Sequence, residues 1–300
     1  MKSVENAKYL QIDHRVEEIL RKEGVVILPS QKAWEKFEWS REYFGKKPDE
    51  GFFVWVTKQI PFPISTCVTI SSENVEQNMM NLVVIEEGIK VKSYSICNAS
   101  SFDLHGRHNA LGKIILKKGS KMELLSTQSW GSEDVVEPTY YFILEENSML
   151  DYKFKSLNPP KRFVSKNVFE LKENAKVRIE VAVKANNSYV ELHETTYLNG
   201  KNADAVSKLR VVSDKKSEII GYTKMVANAP SKGHLDCQGL MLRNDSRITL
   251  IPALENANKE ATLTHEASIG RITEDVLNYL MTRGLTEEEA IDLIVTGFLS

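Results

Sequence analysis

The sequence predicts a mainly β protein, with a β-helix through the middle of the chain and helical segments at both ends. Three observations lead there. From about residue 66 the helical spacing of apolar residues gives way to short β-rich pieces. One local pattern then keeps returning: a strand, two charged or polar residues, a turn residue, another strand. It reads Ile115-Leu116-Lys117-Lys118-Gly119-Ser120-Lys121-Met122 and Ile143-Leu144-Glu145-Glu146-Asn147-Ser148-Met149-Leu150, with further copies around Gly88 and Asn174. The turn positions 88, 119, 147 and 174 lie 31, 28 and 27 residues apart. Glycine and asparagine suit them because a tight turn needs a residue that tolerates positive φ. Recurrence near ~30 residues is the signature of a solenoid, whose units bury their apolar edges against one another. A β-sandwich is the alternative, since short strands with regular turns suit it too.

Taken in order, residues 3–23 read as a helix, with Val4, Ala7, Tyr9, Leu10, Val16, Ile19 and Leu20 at roughly helical spacing and Gly24 as its stop. Gln31 to Phe44 is a second amphipathic candidate carrying Trp34, Phe37, Trp39 and Phe44, an aromatic set that at this spacing reads as packing rather than a ligand site. Ile60-Pro61-Phe62-Pro63 breaks regular structure. The resulting division is 1–65 as an N-terminal helical segment, 66–270 as the β-helix core and 271–300 as a C-terminal helical segment. Weaker copies of the repeat sit at Val212-Ser213-Asp214-Lys215 and Leu242-Arg243-Asn244-Asp245. Near the C-terminus, Thr273 and Thr286 open two helices with acids in their first turns, and Thr286 with Glu289 forms a capping box. These helices would cap the solenoid end or present a docking surface.

Composition narrows the function classes. Hydrophobic residues make up 42% and charged residues 27% of 300, the mix of a soluble globular chain. A formal net charge of −2 gives no electrostatic case for nucleic acid or an anionic membrane. No apolar run approaches the ~20 residues that cross a bilayer, and the N-terminus lacks a signal-peptide core. Three widely spaced cysteines, Cys67, Cys97 and Cys237, form no disulfide framework and suit a reducing, cytoplasmic setting. No phosphate-binding glycine loop is present, so the chain should bind no nucleotide. His105-Gly106-Arg107-His108 fits no known zinc spacing, and no nucleophile elbow occurs.

The chemistry concentrates between His234 and Gly297. Cys237 offers a thiolate, an iron ligand and a sulfur nucleophile. His265 and Glu266 follow 28 and 29 residues later, about one repeat, which would stack them on the coil next to Cys237. Adjacent strand residues point to opposite faces, so both cannot face Cys237 unless the strand bends.

The wording Cys-x-x-Leu, Ile251-Pro252-x-Leu254-Glu255 and Thr264-His265-Glu266-Ala267, followed by a helix ending Arg283-Gly284, resembles the C-terminal core of the SufB/SufD family. Thr-His-Glu-Ala is similar to SufB, whereas Ser268-Ile269-Gly270-Arg271 has SufD character. The resemblance covers most of 66–300. It implies a right-handed parallel β-helix and a scaffold, not an enzyme, that builds and passes on a transient iron–sulfur cluster, with Cys237, His265 and Glu266 as metal ligands. Cys97, His108 and Gln128-Ser129-Trp130 resemble the SufB region that receives sulfur and passes it inward, although Tyr94-Ser95-Ile96 lacks the acidic residue typical there. The family implies a SufC-like ABC ATPase docked on about Thr273–Phe298, a sulfur donor protein and apo iron–sulfur recipients. Because features of both subfamilies share one chain, a homodimer through the C-terminal part of the β-helix is expected. The other readings are a SufD-like assembly subunit without a cluster and a β-helix enzyme acting on acidic polysaccharide.

Overall fold

The computed structural model describes residues 6–300. The chain opens with strands β1 (Ala7–Ile12), β2 (Arg15–Leu20) and β3 (Val25–Pro29), helices α1 (Ser30–Lys36) and α2 (Ser40–Phe44), and strand β4 (Phe52–Val56). Then come β5 (Ile64–Ile70), β6 (Glu76–Ile85), β7 (Lys90–Ala99), β8 (Arg107–Leu116) and β9 (Lys121–Ser129). The middle coils hold β10 (Val135–Leu144), β11 (Met149–Asn158), β12 (Arg162–Leu171), β13 (Lys176–Asn186) and β14 (Tyr189–Leu198). The last are β15 (Asp204–Asp214), β16 (Glu218–Ala227), β17 (Lys232–Met241), β18 (Arg247–Asn256) and β19 (Thr262–Arg271), before α3 (Glu274–Met281) and α4 (Glu287–Phe298).

From β5 onward odd strands stack in one sheet and even strands in the other, every neighbouring pair within a sheet parallel. This is a parallel β-solenoid of about eight turns, flattened into two sheets around one core. The sandwich alternative is set aside because consecutive strands pass between the sheets instead of pairing with each other.

The turns explain the repeat. Gly88, Gly119, Asn147 and Asn174 all have φ between 55° and 71°, and each donates its backbone N–H to a carbonyl of the next coil's turn, at 2.8–3.0 Å. Asn202 (φ 59°) continues this corner, and the sequence pattern missed it because Tyr197-Leu198-Asn199-Gly200 lacks the charged pair. The weaker copies at 212–215 and 242–245 lie at the opposite corner, where odd strands lead into even ones.

The expected helix over 3–23 falls partly outside the described residues, and the rest of it is a hairpin. β1 pairs antiparallel with β2 and parallel with β5, and its alternation buries Ala7, Tyr9 and Gln11. The residues expected on one helical face are split: Ala7 and Tyr9 are buried while Val16 and Leu20 are exposed. Period-two burial, enforced by pairing with β5, overrides the apparent 3.6 period. The second expected helix is two short ones. Together they lay Ala33 and Phe44 over the outer face of β4, β6 and β8, with Trp34, Phe37, Trp39 and Trp55 in ring contact around them.

The interior is aromatic at mid-length. Phe142 stacks on Phe169 with centroids 4.4 Å apart and planes 12° off parallel, and Tyr152 packs against both. At the C-terminus, α4 folds back on the outer face of the odd-strand sheet. There Val295 and Leu299 cover Ala182, Val212 and Leu240, and Lys184 reaches Asp292. The solenoid end therefore stays open: the last coil exposes residues 264–270, and no helix among the described residues covers them. The capping box is formed, with Thr286 Oγ1 accepting from Glu289 N at 3.2 Å and Glu289 Oε2 accepting from Thr286 N at 2.8 Å. Thr286→Ala should cost about 1 kcal/mol. Urea unfolding measures it, and an unchanged midpoint would mean the box adds nothing to α4.

Candidate functional site

Register places the chemistry. On β7 the alternation turns Ser93 and Cys97 inward, and Cys97 pairs with Gln128 on β9. Gln128 Oε1 accepts from Trp130 Nε1 at 3.0 Å, and the Trp130 ring lies against His108, centroids 4.9 Å apart. His108 Nδ1 is 2.8 Å from Gln77 Oε1, and because an amide oxygen only accepts, Nδ1 must carry the proton. Burial pushes His108 down to about 4, so the imidazole is neutral. Burial likewise pushes the Cys97 thiol up to about 12. Cys97, His108, Gln128 and Trp130 thus form one buried group. Cys67 lies half-buried on β5, its strand position turned away from the interior.

Cys237 faces inward on β17 and is 1% exposed. Its Sγ is 3.2 Å from Thr223 Oγ1, and burial pushes the thiol up to about 11. His265 lies on the adjacent strand β19, in register with Leu235, while the partner of Cys237 is Ala267. His265 therefore shares Cys237's face of the sheet, displaced by two residues. From strand spacing and rise, the two Cα atoms are about 8 Å apart, a span these side chains can bridge. Glu266 pairs with Asp236 on the outer face, 3.7 Å from His234 Nε2. Asp236 is itself held there by the Arg210 guanidinium. Among the described residues no three His, Cys, Asp or Glu side chains converge as a metal-holding group.

Between the two thiols runs an interior row that the sequence did not announce. One register position of the even-strand sheet reads Asn81, Gly112, Tyr140, Asn167, Glu194, Thr223 along the axis. Gly112 is required because the Tyr140 ring lies over it: a Cβ there would sit 2.1 Å from Tyr140 Cε1. That placement lets Asn81 Nδ2 donate to Tyr140 Oη at 3.1 Å. A cavity of about 50 Å³ touches Cys97, Gln128, Tyr140 and Asn167, and a second of about 20 Å³ touches Asn167, Glu194 and Thr223. The row thus runs from beside Cys97 to the residue bonded to Cys237.

Glu194 is the anomaly in it. Its Oε1 is buried without a hydrogen-bond partner, and burial pushes the carboxyl up to about 7. Below the ordinary glutamate value of 4.5 it is protonated folded or unfolded; as pH rises to about 7, only the unfolded chain gains by ionising. The wild type should therefore lose about 3 kcal/mol relative to Glu194→Gln across that window and nothing further above it. Urea unfolding of both proteins at pH 5 and pH 8 checks this. Equal pH dependence would mean that Oε1 has a partner besides the Ser207 hydrogen bond the carboxyl already makes.

Fold and site together define a class: a parallel β-solenoid with two thiols buried in its core, a row of polar side chains between their coils, and an open last coil bearing an imidazole. The family model for the SUF system FeS cluster assembly, SufBD core domain, matches residues 68–298. An iron-sulfur cluster assembly SufBD family protein of Archaeoglobus fulgidus is 30% identical over 296 residues, covering 92% of this chain and 79% of that protein. A homologue from Methanothermobacter thermautotrophicus is 30% identical over 242 residues, covering 80% of this chain and 59% of its own length. One from Staphylococcus epidermidis is 25% identical over 308 residues, covering 95% and 66%. This chain belongs to the SufBD family of iron–sulfur cluster assembly proteins.

Proposed function

We propose that the chain is a scaffold on which iron–sulfur clusters are built and handed on, with no turnover of its own. The observation that carries the reading is the join between Cys237 and the interior row through Thr223, one coil before the open end that carries His265. A thiolate and an imidazole on one face are soft and intermediate ligands suited to iron, and replacing sulfur ligands changes cluster properties, which suits a carrier that must let go. The Cys237 thiol must lose its proton to bind, so loading is favoured as pH rises.

In this reading Cys97 accepts sulfur as a persulfide from a donor protein. His108, neutral and tilted against Trp130, backs the indole whose Nε1 donates to Gln128, the register partner of Cys97. Because one copy brings a thiol and an imidazole to the seam, a second copy abutting the open coil supplies the remaining ligands, and Glu266 on the outer face serves iron bound across that seam. The unpaired backbone groups along the outer edges of β18 and β19 favour such an abutment. A SufC-like ABC ATPase docks on Thr273–Phe298, where Val276, Tyr279, Met281 and Leu293 remain exposed. The reading puts the work in a reducing compartment, the cytoplasm, and three free thiols suit it. No helix among the described residues is long and apolar enough to cross a membrane.

The test is iron and acid-labile sulfide analysis of the protein purified anaerobically with its ATPase partner. Near-stoichiometric iron and sulfide are expected. A complex that forms normally yet holds neither, even after both are added, would make this chain a SufD-like assembly subunit instead.

A further inference from the structure

The scaffold reading needs sulfur to travel from Cys97 to Cys237, and the fold limits how. Five strand spacings separate β7 from β17, a distance on the order of 24 Å. The chain has three cysteines, and Cys67 is turned away from the interior, so no thiol stands between the two ends. Handover from one sulfur to the next cannot span that gap. A carrier must be a small molecule: a dithiol reductant acting on the Cys97 persulfide leaves the Cys97 thiol and a cyclic disulfide, and frees hydrogen sulfide to carry the sulfur.

The interior also selects its charge. Among the described residues no lysine or arginine is buried, so an anion in the row meets no counter-charge. The charge-bearing group there is an acid, Glu194. The other buried carboxylates are accounted for: Asp134 accepts from the backbone N–H groups of Gly106 and Gly131, and Asp236 pairs with Arg210. Among the described buried carboxylates Glu194 alone keeps an unpartnered oxygen, Oε1, although the carboxyl is hydrogen-bonded to Ser207; it lies beside a cavity of about 20 Å³, room for one small molecule. It stands one register position before Thr223, whose hydroxyl meets Cys237.

Resting on the scaffold reading, we infer that the Glu194 chamber is a binding station for neutral hydrogen sulfide, at which the carboxylate takes one proton from it. Hydrogen sulfide and the ionised carboxylate of Glu194 become hydrosulfide and the neutral carboxylic acid: one S–H bond breaks, one O–H bond forms, and no electrons change hands. The chamber admits the neutral molecule and repels the anion while the carboxyl is ionised; the transfer moves one negative charge from Glu194 to sulfur and adds none to the interior. Burial brings the carboxyl to about 7, close to the first ionisation of hydrogen sulfide, so the transfer is near balance. The titratable groups facing Glu194 across the interior are Tyr152 and Cys237, both held protonated by burial. Glu191 and His193 on its own strand, Lys166 and Lys224 on the flanking strands, and Lys208 and Arg210 on β15 lie on outward positions.

The test has two arms, both on the full chain. In the first, hydrogen sulfide is added to iron-free protein at pH 7 and followed by infrared difference spectroscopy. The wild type should gain a protonated-carboxyl band that Glu194→Gln lacks. In the second, Cys97 carries a radiolabelled persulfide, and dithiothreitol releases it: persulfide plus dithiol gives thiol, hydrogen sulfide and the cyclic disulfide. Excess unlabelled sulfide in solution dilutes any label that escapes, so label in the iron-bound product has come through the interior. Glu194→Gln should deliver it about a hundredfold more slowly, the loss typical of a removed general base. Glu194→Asp, an acid withdrawn by one methylene, should fall between. An unmoved carboxyl band in the wild type, or equal label delivery by wild type and Gln variant, overturns the inference. If the wild type itself delivers no label, the scaffold route fails, and the infrared arm still decides what Glu194 binds.

Discussion

Cys237→Ser should abolish iron–sulfur assembly while leaving the fold in place. A serine hydroxyl fits the same volume and can still bond Thr223 Oγ1, so the local packing of β16 against β17 survives. What disappears is the soft thiolate that iron–sulfur chemistry selects. Loss of an outer partner of a ligand already costs ~10-fold in metal affinity, so losing the ligand itself must exceed that. Reconstitution with ferrous iron, sulfide and the ATPase partner, followed by visible absorbance, reads the effect, and Cys67→Ser is the matched control. Cys67 sits half-buried on β5, twelve strands earlier in the chain and turned away from the interior, so its loss should change nothing. Full cluster yield from Cys237→Ser would remove that residue from the site.

Phe142→Ala should be the most destabilising single change in the core, by about 4 kcal/mol. The ring is 1% exposed, stacked on Phe169 and flanked by Tyr152, and its neighbours are held by strand pairing on both sides. Coils locked in register cannot slide inward to fill the hole, so the cavity persists and the full cost is felt. The same hole would open beside the cavity that touches Tyr140 and Asn167. Urea unfolding with an unchanged slope measures the loss. A cost below about 1 kcal/mol would mean that the coils do collapse, and that the interior is more pliable than the stacked rings suggest.

How much of this was legible beforehand follows from how local each demand is. Gly88, Gly119, Asn147 and Asn174 could be read as turns because positive φ is a property of the residue itself. The Thr286–Glu289 box could be read for the same reason. The N-terminal hairpin could not. Ala7, Tyr9 and Gln11 become an inward face because β5 lies beside them, and no six-residue window contains that fact. The site divides in the same way. Cys237 and His265 at one-coil spacing were visible, as was the conflict between His265 and Glu266, since alternation is intrinsic to a strand. The two-residue offset between Cys237 and His265 was not visible, because it depends on the register of β19 against β17.

Glu194 illustrates the limit. In Glu191-Leu192-His193-Glu194 the acids look alike, yet Glu191 bonds Tyr189 and His193 at the surface while Glu194 is sealed inside. The amino-acid sequence by itself determined the coil length, the turn chemistry and the family, all of which are written in residues near one another along the chain. Tertiary structure alone decided that Asn81, Tyr140, Asn167, Glu194 and Thr223 form a single file between two thiols. Residues on successive coils become neighbours only when the strands pair, and that pairing sets five scattered polar side chains in one row.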